Sequence, residues 1–266
     1  MYQFCFGGLA RVFLFMIVSS VALYATELDK VDINKGYRIS LENQEVNNGF
    51  VTQQSMVKMI LINAHGDKVE RRMSFMGMEV DGDGDKSLIT FLYPADVKGT
   101  KTLTWSHKEG PDDMWLLLPA LNRVKRINSR NKSGSFMGSE FSYEDISSDE
   151  AEKYTYNFIE DSTLDGREVW VIERYPKDKN SGYSKQVTYV DKEYRNPWKI
   201  VYFDRKGELL KTSVFSQYKK IDRWWLFNRI EVMNHQTQKS SILEWQNREL
   251  GNNLKSSLFT KQYLKR

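Results

Sequence analysis

The chain holds one cysteine, Cys5, in 266 residues, which excludes a disulfide framework and a cysteine-based zinc site. Histidine is almost as scarce. His65, His107 and His235 are scattered without a paired spacing, so triad chemistry has few sources for a base. Five prolines and sixteen glycines exclude collagen-like and Pro-rich low-complexity architectures. Phosphate loops of the G-x-x-x-x-G-K-[ST] type do not occur. Charge of one sign is lacking too: 39 Lys and Arg stand against 35 Asp and Glu, a net +4. It is spread along the chain with no basic block, so no nucleic-acid partner is expected. What the chain does have is 40% hydrophobic and 13% aromatic residues, the composition of a globular protein.

Residues 1–25 differ from the rest. Arg11 is their only charged side chain and precedes an apolar run from Val12 to Val18, with Ser19, Ser20, Ala22 and Ala25 beyond it. A positive flank, a short greasy stretch and small residues predict a secretory signal peptide cleaved after Ala22 or Ala25. The apolar run is shorter than the ~20 residues needed to span a bilayer. With Cys5 ahead of that run, no cysteine is placed for lipid modification. The expected product is a periplasmic protein of one domain, residues 26–266.

Past the signal the chain reads mainly as strands. A short helix is expected within Val31–Asn48, ended near Asn48-Gly49 because Gly takes the left-handed conformation. Beyond it, β-branched and aromatic runs alternate with turn signals. Predicted strands are Ser55–Asn63, Val69–Val80, Lys86–Tyr93, Thr100–His107, Met114–Leu118 and Asn122–Ile127. A second series follows: Glu152–Glu160, Arg167–Arg174, Tyr183–Asp191, Trp198–Asp204, Leu209–Tyr218, Trp224–Asn234 and Gln238–Asn247. Such a series predicts a mainly β fold, a large antiparallel sheet with few helices. A sheet that long must curl, close or be covered, so a half-closed or closed barrel is expected. The small, polar stretch Ser129–Ser148 interrupts the strands as a cover loop.

Several patterns invite a chemical reading. Asp81, Asp83 and Asp85 imitate the start of a calcium loop, but Lys86 and Leu92 occupy the places of its Gly and Glu, so a solvated turn is expected and no metal site. Ser139 follows Gly138 but lacks the G-x-S-x-G elbow. No catalytic residue and no cofactor are therefore assigned. Met56, Met59, Met73, Met76 and Met78 crowd two neighbouring strands; they fit either a flexible core or an adaptable apolar hollow. Phe136, Met137 and Phe141 are apolar within a glycine-punctuated loop, so they must pack on the sheet as a lid or on a ligand.

The run Trp115–Ile127, followed by Phe136-Met137-Gly138-Ser139-Glu140-Phe141-Ser142-Tyr143-Glu144-Asp145, resembles the LolA-like outer membrane lipoprotein-sorting protein family of Gram-negative bacteria. Asp96-Val97-Lys98-Gly99-Thr100, Asp165-Gly166 and Tyr189-Val190-Asp191 add to the likeness, which covers most of the chain from about Phe50. The resemblance implies a strongly curved antiparallel sheet, an incomplete barrel with a few covering helices and loops over an apolar concavity. It implies a monomeric, non-enzymatic carrier of a lipid or acylated lipoprotein, with an RND/MMPL-type inner-membrane transporter as partner. The alternative is an accessory subunit of such a transporter without lipid cargo of its own. On either reading of the pattern, Met56, Met59, Met73, Phe75, Trp115, Leu117, Phe136, Met137 and Phe141 are the candidates to line or lid the groove, with Leu116 and Leu118 on the other side of their strand. Arg123 and Arg126 are candidates for anionic head groups or a partner, or for structural pairing with Glu140, Glu144 or Asp145.

Overall fold

The computed structural model describes residues 34–265; the expected signal peptide lies outside the described residues. Helix α1 (Lys35–Asn47) opens the described chain, capped by the Asn34 side chain, which accepts from the Gly36 amide. Six strands follow: β1 (Thr52–Ile62), β2 (Lys68–Met78), β3 (Lys86–Tyr93), β4 (Lys101–Trp105), β5 (Asp113–Leu118) and β6 (Arg123–Ile127). Beyond the cover loop come β7 (Tyr154–Leu164), β8 (Arg167–Pro176), β9 (Tyr183–Asp191), β10 (Pro197–Asp204) and β11 (Leu209–Ser216). A small hairpin, β12 (Lys219–Ile221) and β13 (Trp224–Leu226), precedes β14 (Arg229–Asn234) and β15 (Ser240–Leu250). The predicted Trp224–Asn234 strand is thus two, split where the chain leaves the hairpin and joins the large sheet. A short helix, α2 (Lys261–Leu264), closes the chain.

Thirteen strands form one antiparallel sheet in the order β6-β5-β4-β3-β2-β1-β15-β14-β11-β10-β9-β8-β7. Two meanders are therefore joined at their middle by β1 and β15, the longest-range pairing in the sheet. The sheet curves into a half-barrel and does not close, so of the two expected outcomes the closed barrel is excluded. Its edges are β6 and β7. On β6, Arg123, Lys125 and Arg126 are exposed, and charge on an edge discourages pairing with another chain.

Register decides which side chains face which layer, because directly paired residues share a face. On the inner face Val57 pairs with Met73 and with Trp245, and Phe75 pairs with Ser55 and with Ile89. The same face continues through Ile230, Phe215, Ile200 and Gln186 to Arg174. On the outer face Met76, Leu88, Leu103 and Trp115 form one row. The C-terminal segment covers that row: Phe259 and Leu264 are buried against Leu88, Leu103, Trp115 and Leu117. Trp105 donates its indole N–H to the Phe259 carbonyl at 2.9 Å.

Two covers lie on the inner face. Helix α1 packs Ile39 on Tyr156, Ile172 and Val190 at the β7–β9 end. The cover loop packs Phe136 and Phe141 on Val57, Met59, Met73 and Phe91 at the β1–β3 end. Between them the inner face is left unfilled.

Candidate functional site

The gap between the two covers is a cavity of about 1370 Å³, larger than the ~300–1,000 Å³ common for small-molecule sites. Its apolar wall includes Phe75, Phe141, Phe215, Phe227, Ile230 and Trp245. Helix α1 and the β12–β13 hairpin close one end. The Arg223 guanidinium and the Trp224 indole both donate to the Asn48 carbonyl, at 2.8 and 3.0 Å. Gly49 sits there at φ +99°, a conformation that L side chains rarely adopt, so the backbone requires glycine.

The opposite wall is polar. Arg174 donates from Nε to Gln186 Oε1 at 2.7 Å and from Nη1 to Asp149 Oδ2 at 2.5 Å, and lies over the Tyr154 ring. Burial pulls its pKa down, but Asp149 and the flanking tyrosines outweigh burial and the net shift is upward. Burial also raises the pKa of the Tyr154, Tyr183 and Tyr202 hydroxyls, the mark of a desolvated wall.

Carboxylates gather at one rim. Burial, aided by Glu150 and Glu79, pushes Asp85 up to about 7. Asp83 is the contrary case, held down to about 2 by its bonds to His107 and the Lys108 amide. The Asp81-Asp83-Asp85 triplet is thus no uniformly solvated turn, because Asp85 points inward. An unfolded aspartate titrates near 3.8 and Asp85 near 7, so the native state loses stability as pH rises through that window. Asp85→Asn is therefore expected to stabilise the protein little near pH 4 and most at pH 8. The gain reaches up to about 4 kcal/mol, at roughly 2–4 °C of melting temperature per kcal/mol. Melting curves at both pH values check this; an equal gain at each refutes it.

The cover loop is built from the motif singled out in the sequence. Met137 and Gly138 take φ +52° and +78°, and the Ser139 amide donates to the Phe136 carbonyl at 3.0 Å. Positive φ at both central residues makes this a type I′ turn. Ser139 is buried, its hydroxyl donating to the Phe136 carbonyl at 2.7 Å and accepting from the Phe141 amide. It braces the turn and meets no histidine. The loop is then fastened to the inner face of the sheet. Lys211 donates to the Glu140 carbonyl at 2.9 Å and to Asp145 at 2.5 Å. Asn234 donates to the Glu140 carboxylate at 2.6 Å, Ser241 accepts from the Glu140 amide at 3.0 Å, and Arg71 donates to the Met137 carbonyl.

The nine candidate lining residues divide. Met59, Met73 and Phe75 face inward with Phe136, Met137 and Phe141 of the loop, and of these only Phe75 and Phe141 reach the cavity. Trp115 and Leu117 belong to the outer face, under the C-terminal segment, and Leu116 is the residue that shares a face with Thr102 and Ile89. Met56 lies three positions from Met59 in one strand, so the two face opposite ways. Arg123 is exposed on the edge strand, and Arg126 pairs with Asp113. The proposed acidic partners are engaged elsewhere: Glu140 with Asn234, Glu144 with Ser181 and Gly182, and Asp145 with Lys211. The inward residues that sequence reasoning missed are Arg174, Lys211, Phe227, Trp245 and Arg248.

Comparison with known proteins agrees with this geometry. The crystal structure of an outer membrane lipoprotein-sorting protein domain from Vibrio parahaemolyticus is 47% identical. It covers 87% of this chain and 99% of its own, with a TM-score of 0.85. The chain belongs to the outer membrane lipoprotein-sorting protein family. A DUF1329 family protein from Desulfovibrio piger is 33% identical over 86% of this chain and 97% of its own, with a TM-score of 0.82. A LolA superfamily protein from Nitrosomonas europaea shares the fold at 20% identity, over 86% and 98% of the two chains, with a TM-score of 0.69. A family model described as "Uncharacterized protein" matches residues 83–266. No curated protein matches the chain. The resemblance seen in the sequence thus holds, and the family's half-barrel is the fold found here.

Proposed function

We propose that this protein is a periplasmic carrier that shields the hydrocarbon chains of a lipid or an acylated lipoprotein during transit to the outer membrane. One observation carries the reading: the inner face of the sheet retains an unfilled cavity of about 1370 Å³ with an aromatic and aliphatic wall. Fold alone is a weak warrant for function, but an apolar wall facing a cavity is costly unless something covers it. Burial of each methylene contributes about 0.8 kcal/mol, so a single long chain offsets much of the cost of association. No covalent step is needed for such a role, which accords with the sorting function named for the Vibrio relative.

The protein purified from bacterial envelopes is expected to carry lipid by native mass spectrometry and to bind a fluorescent acyl chain. Ile230→Asp, which puts a charge on the cavity wall, is expected to weaken that binding at least tenfold while leaving the fold intact by circular dichroism. Absence of an apolar ligand by both methods refutes the carrier reading. The rival, an accessory subunit of an RND/MMPL-type transporter, draws on the filled half of the inner face, where the loop already supplies the apolar contacts. It predicts a stable membrane-protein partner on pull-down and no bound lipid.

A further inference from the structure

Two arginines line the cavity, and they differ in one respect. Arg174 has its carboxylate and its amide partner. Arg248 has neither among the described residues: its Nε is buried without a hydrogen-bond partner. Its guanidinium lies over the rings of Trp245 and Phe227, at 5.5 and 5.9 Å, and those rings are themselves cavity wall. Ring faces attract the cation but accept none of the in-plane N–H donors, which call for an oxyanion. Burial lowers the Arg248 pKa to about 10, with no neighbouring charge offsetting it, so the group is cationic at neutral pH.

Backbone geometry aims it there. Between Gln54/Met56 on β1 and Glu249/Gln246 on β15 the register slips by one residue, and Asn247 takes φ +50°. This β-bulge lets Trp245 and Arg248, three positions apart, both meet the cavity, whereas strict alternation puts residues three apart on opposite faces. Bulges re-aim side chains at functional sites. Arg248 is partly buried and its Nε lacks a hydrogen-bond partner, and leaving a buried donor unmade is costly.

We propose that Arg248 anchors the anionic head group, a carboxylate or a phosphate, of an amphiphile whose hydrocarbon chain lies along Phe227, Trp245 and Ile230. The proposal rests on the carrier reading and narrows its cargo to anionic amphiphiles, the guanidinium fork supplying the polar contact and the aromatic wall the burial.

The test compares cis-parinaric acid with its methyl ester, which has the same polyene chain without the charge, by fluorescence titration of the full-length protein. The wild type is expected to bind the acid at least tenfold more tightly than the ester. Arg248→Leu is expected to weaken the acid at least tenfold while holding the ester unchanged, and Arg248→Lys to keep part of the preference. The ligand-free Leu variant is expected to melt at or above the wild-type temperature, since a buried N–H without a partner has been removed. Equal binding of acid and ester by the wild type, or a Leu variant that melts far lower, overturns the anchor and leaves the carrier reading standing. Binding of neither probe overturns both. Displacement of the acid by millimolar inorganic phosphate overturns the amphiphile in favour of a free-anion site.

Discussion

Lys211→Met is expected to cost about 3–5 kcal/mol of folding stability, because removing one member of a buried ion pair strands the other. Lys211 is 3% exposed, between the rings of Tyr183 and Tyr202 at 5.3 and 5.2 Å. Its ammonium is shared by the Glu140 carbonyl and Asp145. Asp145 keeps bonds from the Tyr183 hydroxyl and the Ser142 amide, but no cation replaces the lost one. Adding Asp145→Asn to Lys211→Met should recover part of the loss, since the stranded charge is then gone, and a double-mutant cycle by urea denaturation measures the coupling. A cost below about 1 kcal/mol for the single change, the range of exposed pairs, contradicts the view that this contact fastens the cover loop.

Phe136→Ala is expected to be as damaging, about 3–5 kcal/mol, through lost burial and the hole left behind. Phe136 is 1% exposed; its ring lies 5.9 Å from Phe91 and 5.6 Å, edge-on, from Tyr143. It fills the inner face over Met59 and Met73. The deficit should appear in urea melts with an unchanged m-value, as for a local packing loss. In the state described here the loop is thus a built part of the core, held by a type I′ turn, a buried ion pair and two phenylalanines. Phe141 differs, because it touches both that core and the cavity.

Much of this was legible in the residues. The predicted Lys86–Tyr93 and Tyr183–Asp191 strands match β3 and β9 end for end, because period-2 alternation and flanking turn residues are local properties. The cover loop and the need for Phe136 and Phe141 to pack were legible for the same reason: apolar groups in a glycine-rich loop have few places to go. The family could be read from the Trp115–Asp145 run because that run encodes the turn, the brace of Ser139 and the fastening through Glu140 and Asp145.

Strand phase was not legible. Trp115 and Leu117 alternate correctly with Leu116 and Leu118, but alternation states that two sets exist and leaves open which faces inward. That choice came from pairing across the sheet and from the C-terminal segment, which covers the outer face. Arg248 was hidden for a sharper reason: the bulge at Asn247 breaks the alternation on which any sequence reading of β15 depends. Lys211 and Asp145, 66 positions apart, meet only because β11 and the loop share one side of a curved sheet.

From its sequence alone the chain was bound to form a long antiparallel meander with a polar, glycine-punctuated interruption, since hydrophobic period and turn chemistry are set by neighbouring residues. Which face curves inward, which arginine is left without a partner, and how much of the hollow stays unfilled were decided by tertiary packing. Those outcomes depend on contacts between residues tens to hundreds of positions apart, which no local pattern records.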